Sequence, residues 1–208
     1  MLPQALQSVS DEAALGLLQS YFAPLRDGSM RTGAAWDTWD PSGRRERDID
    51  AFTSDDLVAV TLLSVEVPGR AAQALLVDQA AEFAALLREV GPDRDLANET
   101  TPLDPEWPGW RLETAVRALP GIGRTTGSKL LARKRPRLFP IWDSVISDVT
   151  ATTDKPFWGP LRLELRKDDG WLHERLLKLR QEAGLPEAVT ALRVFDVVCW
   201  MEGKSKNF

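Results

Sequence analysis

The stretch from Arg111 to Ile146, RLETAVRALPGIGRTTGSKLLARKRPRLFPIWDSVI, constrains the chain more than any other. Leu112, Ala115, Val116 and Leu119 recur at helical spacing and form one apolar face. Pro120 ends that helix. Gly121 and Gly123 flank Ile122; two glycines permit a tight turn with positive φ and let another backbone come close. Ile122 can plug the gap between two helices. A second helix starts at Arg124, and Pro136 stops it. The first amides of that helix have no partner within it, so they point outward at the turn and suit a phosphate. Gly127, one turn further, lets the two helices pack tightly. The sequence therefore predicts a helical hairpin over 111–135.

Charge adds to this picture. The chain carries a net charge of −5. Residues 1–110 hold 8 basic and 19 acidic side chains, whereas 111–137 hold 8 basic and one acidic, Glu113. A local field of this kind, rather than net charge, governs docking to a polyanion. Gly121, Gly123, Arg124, Lys129, Arg133, Lys134 and Arg135 are the expected DNA-backbone contacts. The alternative for such a run is a solvated helix face. A nucleotide-binding P-loop is excluded, because Gly127 is followed by Ser128-Lys129 in the wrong order and no strand precedes it.

These residues resemble the helix-hairpin-helix motif: Leu119, then Pro120-Gly121-Ile122-Gly123, then a small residue, Gly127, where that motif usually has Ala. The resemblance extends to the helix-hairpin-helix DNA glycosylases, the superfamily of endonuclease III and of adenine-mismatch, 8-oxoguanine and alkyl-base glycosylases. There the hairpin is followed by an apolar stretch and a catalytic Asp that opens the next helix. Leu138-Phe139-Pro140-Ile141-Trp142 leading into Asp143-Ser144-Val145-Ile146 looks like that signature. The spacing from Thr125 to Asp143 equals that from the family's catalytic lysine to its Asp. Three features depart from the pattern. Thr125 stands where strand-cleaving members have lysine, Val145 replaces a polar residue, and the iron–sulfur cysteines are absent. The resemblance thus implies a monofunctional glycosylase acting on duplex DNA. A base would be flipped into a pocket while Asp143 stabilises the sugar cation or activates water. Lys129, one helical turn after Thr125, could stand in for the missing lysine or contact phosphate. Trp142, beside Asp143, is the expected pocket aromatic. Asp143 also reads as an ordinary helix N-cap. Family hairpins can hold a monovalent ion on backbone carbonyls; no other cofactor is expected.

The rest of the chain reads as all-α. Helices are expected after Ser10, from Ser54 through an apolar LVAVTLLSVEV, over 70–90, over 161–168, over 171–183 and over 187–202. Residues 27–50, 92–110 and 153–160 read as loops. By the same resemblance, 51–152 form a central lobe, and 1–50 with 153–208 form a second. One cysteine, Cys199, rules out an internal disulfide and a four-cysteine cluster within one chain. The single His173 excludes a multi-histidine metal centre but not a carboxylate-only one. No long apolar stretch or basic leader is present, so no membrane association and a cytoplasmic location are expected.

Three functions follow: a monofunctional glycosylase, a non-catalytic DNA-binding module, and a protein-interaction module. The first needs Asp143 facing a pocket beside the hairpin. The second tolerates a filled pocket. The third expects acidic residues of 1–110 to cover the basic segment.

Overall fold

The computed structural model describes residues 2–152 and 157–205; part of the expected 153–160 loop lies outside them. Among the described residues the chain is helical, without strands. In order, the helices are α1 (Gln4–Gln7), α2 (Glu12–Phe22), α3 (Ser54–Thr61), α4 (Gly69–Gln73), α5 (Ala80–Val90), α6 (Pro108–Arg117), α7 (Arg124–Lys134), α8 (Ser144–Thr150), α9 (Trp158–Glu182) and α10 (Ala191–Ser205). α10 packs on α2, α8 and α9, while α3 and α6 pack on α7, and α5 on α6. α1 also touches both α2 and α10.

The hairpin forms as its residues dictate. Gly121 takes φ +79°, and a Cβ there would stand 2.7 Å from Pro68. Ile122 is buried between the two helices. At Gly127 the approach is tight, since a Cβ would lie 3.2 Å from Arg117. Gly123 differs from expectation. Its backbone is extended (φ −83°, ψ 178°) and a Cβ there meets nothing within 4 Å, so the turn itself does not require glycine at this position.

Two expected helices are shorter than their apolar patterns. α3 stops at Thr61 and buries one face only: Ala59 and Val60 are buried, whereas Val58 is 46% exposed. Its end is closed by the Val65 amide donating to the Val60 carbonyl, with Ser64 left-handed at φ +61°. Glycine normally marks such an ending, and here a serine fills the role. The 70–90 run breaks into α4, a π-helical stretch over Ala74–Asp78, and α5. α9 covers both expected helices of its region and is interrupted by non-helical backbone at Lys167, Asp168, Asp169 and Gly170.

The basic end of α7 is a correction. Arg133, Lys134 and Arg135 are each 1% exposed and cannot reach DNA in this fold. Arg133 Nε and Lys134 Nζ each lie 3.0 Å from the Asp56 carboxylate. Arg133 also donates to the Trp36 and Trp39 carbonyls, Lys134 to that of Asp48, and Arg135 to that of Ile49 and to Asp50. Three consecutive cations thus fasten the long 36–50 segment to the core. Their desolvation is offset by two carboxylates, Asp56 and Asp50, and a set of backbone carbonyls that would otherwise be unpaired.

Candidate functional site

A cleft of about 540 Å³ opens beside α7, within the range of small-molecule sites. Its construction follows from two periodicities. On α7, Thr125 and Lys129 are four residues apart and share the face that lines the cleft. The extended segment before α8 sends alternate side chains to opposite sides. Ile141 and Asp143 line the cleft, whereas Pro140 and Trp142 line a separate cavity of about 220 Å³ on the other side. Trp142 is therefore not the aromatic of the Asp143 cleft, despite adjoining Asp143 in sequence. It stacks instead under the Arg124 guanidinium, 4.0 Å from ring centre to Cζ.

Ser128 fixes this segment in place. Its Oγ accepts from the Trp142 amide at 3.0 Å and lies within donating distance of the Thr125 and Trp142 carbonyls. Asp143 then caps α8, one carboxylate oxygen accepting from the Ile146 amide at 3.0 Å. The cap reading and the cleft-lining position hold together in the same side chain. Helix N-termini favour negative charge at this place.

Lys129 is 5% exposed and its ammonium donates to the Leu63 carbonyl at 2.7 Å. It belongs to the cleft wall rather than to a phosphate-contacting surface. Burial pulls its pKa down, against the opposing pull of Asp143 and Asp196.

The remaining wall comes from residues that the sequence reading did not single out. Arg193, Asp196, Trp200 and Lys204 of α10 all line the cleft. They form a polar stripe at spacings of three to four on an otherwise apolar helix, a signal present in the sequence. Arg193 is held on every side. It donates to Asp37 at 3.2 Å, to the Tyr21 hydroxyl at 2.9 Å, to the Gly33 carbonyl at 2.8 Å, and to Asp196. Burial alone would lower its pKa, but Asp37 and Asp196 raise it further, so it keeps its charge. Asp196 is pushed up to about 6, first by burial and then by the Asp143 charge, with Arg193 opposing. Trp200 and Tyr21 meet edge to face at 5.9 Å and supply aromatic surface.

On the hairpin face, Arg111 pairs with Glu89 and Arg117 with Glu113, both partly exposed. Arg124 stands at the start of α7 beside the glycine turn. Among the described residues no group of His, Cys, Asp and Glu has the arrangement of a metal site. His173 is buried 3.8 Å from Asp95, and Cys199 is in the core. No helix among the described residues is long and apolar enough to cross a membrane.

A family model described as a family of unknown function, DUF6308, matches residues 14–203. The chain belongs to this family. The match spans α3 to α9 whole, so the hairpin, Asp143 and nearly all of the cleft wall lie within the DUF6308 region. No curated protein and no solved structure matches the chain.

Proposed function

We propose that this DUF6308 protein binds duplex DNA through the 120–124 hairpin and hydrolyses an N-glycosidic bond in the adjoining cleft. The two-lobed fold of the helix-hairpin-helix glycosylases, with both chain ends in one lobe, is part of the same proposal. One observation carries it: Asp143, at a helix N-terminus, lines an open cleft together with Thr125 and Lys129. Thr125 and Asp143 are the two positions that the motif spacing singles out, and Lys129 lies one helical turn after Thr125. The hairpin amides at Gly123 and Arg124 would take backbone phosphate, which positions the duplex without reading sequence. A flipped base would enter the cleft against Trp200 and Tyr21. Asp143 would stabilise positive charge on the sugar as the base departs. With threonine at position 125, base loss would not be coupled to strand cleavage there.

The test is release of free bases from chemically damaged duplex DNA, identified by mass, by the wild type and by Asp143→Asn. Release that falls at least about 100-fold in the variant supports the proposal. Equal release by both proteins removes Asp143 from the chemistry.

A second reading is favoured by the buried Arg133–Lys134–Arg135 run. With those cations tied to Asp50, Asp56 and backbone carbonyls, the basic surface is smaller than the sequence suggests. In this reading the hairpin serves a non-catalytic DNA-binding or protein-interaction module. Salt-sensitive binding to plain duplex without base release would select the DNA-binding form of it.

A further inference from the structure

The cleft holds two carboxylates with unlike surroundings. Asp143 sits at the mouth of α8, one oxygen on the Ile146 amide. Asp196 lies deeper, 5% exposed, with only Oδ2 engaged by Arg193. That guanidinium is shared, because its Nε serves Asp37. The Arg193 guanidinium is therefore divided between two buried carboxylates, and of these Asp196 is the one that lines the cleft. The groups facing Asp196 are Arg193 and Cys199 on α10, Tyr21 on α2, Asp37 beyond it, Lys129 on α7 and Asp143 at α8. Burial and the like charge of Asp143 favour a proton on it, and Arg193 and Lys129 oppose this. Pairs of acids whose environments differ in this way divide acid and charge-stabilising roles between them.

We propose that Asp196 is the general acid of this cleft and that the substrate is a neutral, rather than cationic, base in DNA. This rests on the glycosylase reading above. As the C1′–N bond breaks, its electron pair stays on the base, and the base nitrogen takes the proton from Asp196 Oδ1. Water adds to the C1′ cation, and its proton returns to the Asp196 carboxylate. A base that already carries a positive charge leaves as a neutral molecule and needs no such proton. Arg193, tied to Tyr21, Asp37 and the Gly33 carbonyl, holds Asp196 in position.

The experiment uses two duplex pools, one treated with nitrous acid to give neutral deaminated bases and one methylated to give cationic purines. Released bases are measured by mass for wild type, Asp196→Asn and Asp196→Glu across pH 5–8. Binding to a duplex with a tetrahydrofuran abasic analogue is measured alongside, as a check that each variant folds. The wild type is expected to release neutral bases at a rate that falls as pH rises past about 6. Asp196→Asn should lose about 100-fold or more of that rate, the usual yield of a general acid, with abasic-duplex binding kept. Asp196→Glu should recover part of it. Release of cationic purines only, or equal loss on both pools, overturns the role of Asp196 while leaving the glycosylase reading standing. No release from either pool overturns both.

Discussion

Replacing Asp56 by asparagine tests the correction to the basic segment. The Asp56 side chain is 2% exposed and accepts from Arg133 Nε (3.0 Å), Lys134 Nζ (3.0 Å), the Thr53 amide (2.9 Å) and the Thr53 hydroxyl (3.1 Å). The amide keeps the shape but removes the charge, stranding two cations that are each 1% exposed. Removing one partner of a buried ion pair costs about 3–5 kcal/mol. The α3 cap is kept, because the Thr53 side chain still accepts from the backbone amide of residue 56, so the loss is that of the charge alone. Against a native stability of roughly 5–15 kcal/mol, this is a large fraction. For a chain of this size, each kcal/mol moves Tm by about 2–4 °C. Asp56→Asn should therefore lower Tm by more than about 6 °C, read by circular dichroism, with a matching drop in the urea midpoint. Adding Lys134→Met removes one stranded cation and should recover part of the loss. A fall of less than about 2 °C would refute the reasoning, since it would mean that water reaches Arg133 and Lys134.

Other outcomes follow from single side chains. Asp93 is half-buried, and desolvation raises its pKa from 3.8 to about 6. A raised carboxylate pKa means that stability is full below about pH 4 and is lost as pH rises through about 6. Asp93→Asn should thus raise Tm at pH 7–8 and leave it unchanged near pH 4, by thermal melts at each pH. Gly33→Ala would drive a methyl into the Tyr21 hydroxyl, costing about 1–3 kcal/mol, and Tyr21→Phe in the same chain should restore part of it. Ser128→Ala strands the buried side of the Trp142 amide, so a loss of about 1–3 kcal/mol is expected in urea unfolding, with slower base release as Asp143 loosens.

The hairpin was legible because its residues act locally. Pro120 ends its helix, Gly121 takes the positive φ of the turn, Gly127 makes room for Arg117 ten residues back, and Asp143 caps its helix through its near neighbour Ile146. What failed was longer in range. A charge run carries no mark of whether it faces water, and Arg133, Lys134 and Arg135 are buried only because Asp56, Asp50 and the 36–49 carbonyls arrive from far away in sequence. Trp142 was misplaced for a simpler reason: neighbours in an extended segment face opposite ways. The ends of α3 and the break before α5 depend on Ser64 and Gln79 taking backbone shapes that composition does not announce. The polar stripe of α10 was readable, but its meaning needed the cleft that α2, α7 and α8 build in front of it.

The most direct measurement is fluorescence anisotropy of a labelled duplex carrying a tetrahydrofuran abasic site, titrated at salt concentrations from 50 to about 200 mM. Wild type is compared with an Arg117→Ala/Arg124→Ala variant and with Arg133→Met. The account predicts binding that weakens linearly in log–log form as salt rises, with a slope of about −0.9 for each phosphate contacted. The hairpin variant should show a shallower slope, and Arg133→Met should keep the wild-type slope, because that cation never meets the DNA. No binding at 50 mM salt, or a slope that changes only with Arg133→Met, would contradict it.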